Sequence, residues 1–223
     1  MSWMYHRSLK TLTNRIAAIL LAVVAAASCR AAVDPGVQIV QPGAPGEPSR
    51  VISAARATDL SQVQHTAADV RFVQGMIGHH AQALEMTALV PSRSIREDMR
   101  MLAARIEASQ ADEIKMMQSW LEIRREEAPS EHAHHAPGAP LMPGMLTAEE
   151  MGRLAAARGA VFDRLFLALM IRHHEGALIM VEELFATPRA GQDSEIFAFA
   201  SDVDADQRME IERMGAMLQE PQP

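Results

Sequence analysis

The sequence predicts an all-α fold: an antiparallel four-helix bundle built from two copies of one helical hairpin. Three observations predict it. The stretch from Asp69 to Met86 recurs as Asp163 to Met180 at a constant offset of 94 residues. A second stretch, Gln110 to Met117, recurs as Gln207 to Met214 at an offset of 97. In all four stretches apolar residues return every three or four positions, with Ala, Leu, Met and Glu abundant and no two-residue alternation.

The repeat is carried by Asp69, Phe72, Met76, Ile77, His79, His80, Ala83, Leu84 and Met86, each matched by the same residue type between Asp163 and Met180. Matches at one spacing in two places mark a duplication. The change of offset falls in the loops around Val90-Pro91-Ser92 and between Ala186 and Gly191. Pro91 and Pro188 are expected to stop the first and third helices, because proline cannot donate within a helix. Thr147 followed by Glu150 reads as a capping box opening the third helix. Thr66 with Asp69 is a weaker cap for the first, which otherwise begins nearer Asp59. The expected hairpins span 59–127 and 147–219, joined by a Pro- and Gly-containing crossover at 128–146.

Composition bounds the function. A chain of 223 residues holds one or at most two domains, and 48% hydrophobic with 22% charged residues is globular. Aromatics at 4% speak against a β-sandwich. A lone cysteine excludes a disulfide framework or a CxxC site. The net charge of −7 argues against nucleic acid as a partner. What stands out is 16 Met and 9 His.

Residues 1–28 read as a signal peptide, with Arg7, Lys10 and Arg15 ahead of the uncharged run Ile16 to Ala27. That run is too short to span a bilayer. Cys29 follows directly after small residues, as at a lipoprotein cleavage site, and is the expected lipidation point; cleavage after Ala32 is the alternative. Residues 29–58, rich in Pro and Gly, read as an unfolded tether. The expected location is therefore outside the cytoplasmic membrane, periplasmic or secreted, with a lipid anchor holding the domain at a membrane.

At about 100° per residue, Met76 and His80 share one helix stripe, with His79 and Met86 on its edge. Met170, His174, His173 and Met180 repeat this. Met117 and Met214 occupy the matching stripes of the partner helices, beside Glu113 and Glu210. Imidazole and thioether together suit copper, and thioether favours Cu(I) over Cu(II), which the imidazoles would take. The competing reading makes the Met stripe ordinary core and has the histidines hydrogen-bond to carboxylates such as Asp69 and Asp163. His132, His134 and His135 on the crossover form a second metal candidate, to which Met142 and Met145 would add sulfur if the loop folds over a bundle end. Residues three before each paired histidine are Met or Ile, so the Glu-x-x-His of a di-iron bundle is absent. So is His-Glu-x-x-His, and no nucleophile triad is legible. The expectation is a protein that is not an enzyme.

These residues resemble the CopM-like family of exported bacterial proteins, long catalogued as a domain of unknown function. Its signature, Asp-x-x-Phe-x-x-x-Met-Ile-x-His-His-x-x-Ala-(Leu/Ile)-x-Met followed by a Gln- and Met-bearing helix, is met from Asp69 to Met86 and again from Asp163 to Met180. The likeness covers about residues 59–219. It implies a ferritin-like bundle and, from characterised members, copper binding and copper tolerance outside the cytoplasm. The function expected is to sequester, buffer or deliver copper; the alternative is a non-catalytic structural or interaction bundle.

Overall fold

The computed structural model describes residues 38–41, 48–58, 64–130 and 141–220. The expected signal peptide, Cys29 and the crossover histidines His132, His134 and His135 lie outside the described residues. The chain divides into two units, with the boundary at Leu60–Ser61.

Within the first unit, β1 (Ile39–Gln41) pairs antiparallel with β2 (Arg50–Ile52), Val40 standing opposite Val51. A one-turn helix α1 (Ala54–Ala57) follows, capped by Ser53. The described part of the expected tether, 29–58, thus holds a short extended pair and one helical turn. The prolines and glycines of this stretch weigh towards a tether, but Ile39, Val40, Val51 and Ile52 are β-branched and suit an extended pair.

The second unit carries α2 (Ala67–Thr87), α3 (Val90–Arg93), α4 (Glu97–Arg124), α5 (Ala148–Ala156), α6 (Gly159–Ala186) and α7 (Ser194–Gln219). α2 packs along α4, α6 along α7, and α2 against α6. The expected bundle of two hairpins is thus present, with two short helices added at its joints.

Helix ends show why the segments start where they do. Thr66 Oγ1 accepts from the Asp69 backbone N–H, and Asp69 Oδ2 accepts from the Thr66 N–H at 2.6 Å, a complete capping box. The other oxygen, Oδ1, accepts from the Gly191 N–H at 2.6 Å in the α6–α7 loop. Asp69 therefore caps its own helix and ties it to the other hairpin, and is not a histidine partner. The Thr147–Glu150 box also forms, but it opens the separate nine-residue α5. Extended backbone at Ala157 and Arg158 and a positive φ of 57° at Gly159 then break the chain before α6 starts. Pro188 follows the end of α6 as expected. Pro91 instead sits in the first turn of α3, where its missing N–H costs nothing.

The core is in two apolar parts. One joins Phe72, Val73, Met76 and Ile77 of α2 to Met117, Trp120 and Leu121 of α4, Met180 and Leu184 of α6, and Phe199 and Val203 of α7. The other joins Met86 of α2 to Leu102 and Ile106 of α4, Phe166 and Met170 of α6, and Met214 and Met217 of α7. Each part thus takes the beginning of one repeat's leading helix and the end of the other's. Between them, at the midpoints of all four long helices, lies a layer of polar side chains.

Candidate metal centre

That layer is made by His79 and His80 of α2, Gln110 and Glu113 of α4, His173 and His174 of α6, and Gln207 and Glu210 of α7. The repeat forces this symmetry, because the same residue types sit at the same depth of each hairpin. All four imidazoles are fully or almost fully buried. His79 and His173 lie face to face across the α2–α6 contact, with ring centroids 3.8 Å apart and planes tilted by 41°. His80 and His174 flank them, each 6.3 Å from its sequence neighbour.

Three of the rings are held through Nε2. His80 Nε2 stands 2.5 Å from Glu113 Oε2, and His174 Nε2 stands 2.7 Å from Glu210 Oε2. His79 Nε2 stands 3.1 Å from the Pro143 carbonyl oxygen. His173 has no hydrogen-bond partner at either ring nitrogen. The Nδ1 atoms of His79, His80 and His174 are likewise buried without partners, as are both polar atoms of the Gln110 side chain and Oε1 of Gln207. Buried polar groups are ordinarily paired, each unpaired one costing roughly 1–3 kcal/mol. Five orphaned ring nitrogens in one layer are therefore an anomaly of the kind that marks a ligand site.

Burial drives the electrostatics. It pushes His79 down from its ordinary value to about 3, with the neighbouring His80 adding to the shift and the Pro143 carbonyl opposing it. His173 is pushed well below the ordinary histidine range by burial and then by His79, His174 and His80, with the His79 backbone opposing the shift. Both rings are thus neutral at pH 7 and keep a lone pair for a cation.

Glu113 also lines an open groove of about 770 Å³ between α4 and α7, together with Met116, Trp120, Phe199, Asp202 and Asp206. Burial, and then the charges of Glu113 and Glu210, push the Asp206 carboxyl up. Negative charge therefore concentrates where the layer meets solvent.

The thioethers split between the two apolar parts. Met76, Met117 and Met180 belong to one, and Met86, Met170 and Met214 to the other, so each set mixes the two repeats. All six are buried. The described end of the crossover, which carries Met142 and Met145, lies away from the bundle ends. Residues 141–146 cross the middle of the α2–α6 contact, where Pro143 meets His79 and Gln82 grips Leu146 through both its N–H (2.6 Å) and its carbonyl (2.9 Å). Gly176 lets the strap lie close: a Cβ there would stand 2.0 Å from the Pro143 oxygen. Half-buried Met142 packs on the first apolar part, its Sδ 3.0 Å from where a Cβ on Gly75 would stand, and Met145 is buried. Among the described residues, no three His, Cys, Asp or Glu side chains stand together in a metal-holding arrangement. No described helix is long and apolar enough to cross a membrane.

The layer holds all four expected imidazoles, with the expected thioethers in the apolar parts on either side, but its carboxylates are not those the competing reading offers. The histidine partners are Glu113 and Glu210, not Asp69 and Asp163. Asp163 is buried with Oδ1 unpartnered, and the charge of Arg96 acts on it. The signal was present, since Glu113 and Glu210 coincide at the offset of 97.

Residues 69–218 match the family described as a domain of unknown function, DUF305. A DUF305 fragment from Deinococcus radiodurans shares 34% identity, covering 69% of this chain and 97% of that one, with a TM-score of 0.58. CopM in its Cu(I)-bound form shares 28% identity over 70% of this chain and 97% of its own, with a TM-score of 0.53. In its silver-bound form the values are 26%, 68%, 95% and 0.53. No curated protein matches the chain.

Proposed function

The chain belongs to the DUF305 family, and from that premise we propose that it binds copper outside the cytoplasmic membrane, to sequester, buffer or deliver it, without catalysing a reaction. The observation that carries this reading is the mid-bundle layer of four buried histidines with five unpartnered ring nitrogens, flanked on both sides by buried thioethers. Lone pairs without donors call for an electrophile, and a buried site bordered by sulfur favours a soft one. CopM, solved with Cu(I) and with silver, is similar over most of the chain. The buried thioethers of the two adjoining apolar parts are the soft donors this reading draws on. That points to Cu(I) ahead of Cu(II), and away from Zn(II), which makes little use of thioether.

The alternative, a structural or interaction bundle, draws on the His80–Glu113 and His174–Glu210 bonds, which are those of satisfied core histidines. It leaves His173 unexplained. Export and lipidation at Cys29 rest on the sequence alone: the charged start, the apolar run and the tether. The deciding experiment is metal analysis of the protein purified from periplasm, followed by Cu(I) competition titration against a chromophoric chelator. Copper at stoichiometric amounts supports the reading; a metal-free protein that does not compete for Cu(I) overturns it.

A further inference from the structure

We infer that His80 and His174 take the metal through Nδ1, with Glu113 and Glu210 as the positioning residues that fix this choice. The inference rests on the copper reading above and specifies its donor atoms.

A metal binds the neutral imidazole, which has one N–H and one lone pair. A carboxylate oxygen only accepts, so the nitrogen facing it is the one that keeps the proton. Glu113 faces Nε2 of His80, and Glu210 faces Nε2 of His174. The lone pair of each ring then falls on Nδ1, and in both rings Nδ1 is buried without a partner. The two hairpins give the same result separately, through different helices. His79 is directed alike by a third segment, its Nε2 donating to the Pro143 carbonyl while Nδ1 has no partner.

Donation from Nδ1 has a geometric consequence. This atom lies near the helix backbone, whereas Nε2 projects away from it. Helical side chains lean towards the N-terminus, so residues three and four positions earlier share the face. Met76 stands four before His80, and Met170 four before His174. The thioether one turn earlier is thus on the same helix face as each Nδ1, at the same spacing in both repeats. The carboxylate on Nε2–H makes the ring a stronger donor and holds its plane.

The test uses the full mature protein labelled with ¹⁵N at histidine, titrated anaerobically with Cu(I) alone, which is diamagnetic. Long-range ¹H–¹⁵N spectra, assigned with single His→Gln variants, report each ring nitrogen. Metal-dependent shifts at Nδ1 of His80 and His174, with Nε2 still protonated, are expected. Loss of the Nε2 proton on Cu(I) binding, or unperturbed His80 and His174 signals in a copper-loaded protein, overturns the inference and leaves the copper reading standing. A wild type that takes up no Cu(I) overturns both. Glu113→Gln with Glu210→Gln should weaken Cu(I) binding about 10–100-fold with helicity retained. The paired Glu→Ala variants should weaken it further and release the Nε2 preference. Unchanged affinity and unchanged nitrogen usage in the Ala pair would remove the positioning role.

Discussion

The two hairpins start from one sequence pattern yet end in different surroundings. His80 and His174 are treated alike, each bonded to a glutamate from the partner helix. His79 and His173 are not: Pro143 bonds the first, and neither ring nitrogen of the second has a partner in good hydrogen-bond geometry. The cause is the crossover, which passes the layer once and must lie on one side. Equivalent positions diverge accordingly. Gln82 grips the strap, whereas its counterpart Gly176 makes room for it. The comparison teaches that duplication builds the histidine layer, and that residues 141–146 pair with only one of its two facing rings.

The largest effect expected comes from removing what the hairpins share. Replacing His79, His80, His173 and His174 together by Ala should lower copper affinity by orders of magnitude while circular dichroism still shows helix. Copper binding unchanged in that variant would place the site elsewhere.

Substituting Met76, Met86, Met170 and Met180 by Leu tests whether both apolar parts lend sulfur. The exchange roughly conserves volume and usually costs less than about 1.5 kcal/mol per site. Cu(I) affinity should fall sharply, and Zn(II) and Cu(II) binding through the imidazoles should change less. Competition titrations with the three ions decide it: Cu(I) binding intact in the Leu set makes these residues packing alone.

Asymmetry itself can be broken at Gly176. Gly176→Ala forces the Pro143 backbone outward and should destabilise by roughly 1–3 kcal/mol, as overpacking does. Gly215→Ala, where a Cβ meets nothing within 4 Å, should instead stabilise by about 0.5–1 kcal/mol. Denaturant melts of the two variants should move in opposite directions.

Acid sharpens the contrast further. His79 and His173 hold pKa values below that of a free histidine, so the unfolded chain binds more protons under acidic conditions. Stability of the metal-free protein should accordingly decline as the pH falls from about 6.5 towards 3. The pair His79→Gln and His173→Gln should flatten that slope in thermal melts across the same range. An equally steep slope in the variant would show that other groups set it.

Much of this was legible in the residues. The four long helices, the duplication and the inward Met and His stripes follow from periodicity, because a buried helix face must be apolar or ligand-bearing along its whole length. The Thr147–Glu150 box was legible as a helix start, but not which helix it starts, since the break at Ala157 to Gly159 depends on how α5 turns against α6. The roles of Glu113 and Glu210 were hidden because a carboxylate beside a stripe reads as a solvated edge until the partner helix is set against it. Least legible was the strap. Pro143 and Gly144 look like linker residues, and only Gly176 and Gln82, far away in sequence, show that the linker is seated.

One feature of the core reaches beyond the present chain. Since each apolar part joins the start of one leading helix to the end of the other, an isolated hairpin would bare half of both. A second identical hairpin, turned about a two-fold axis through the histidine layer, would cover them as an isologous homodimer. Here the two copies lie on one polypeptide, and His79 and His173 meet face to face between them. Halves on one polypeptide need not be identical, and Gln82 against Gly176 is one place where these differ.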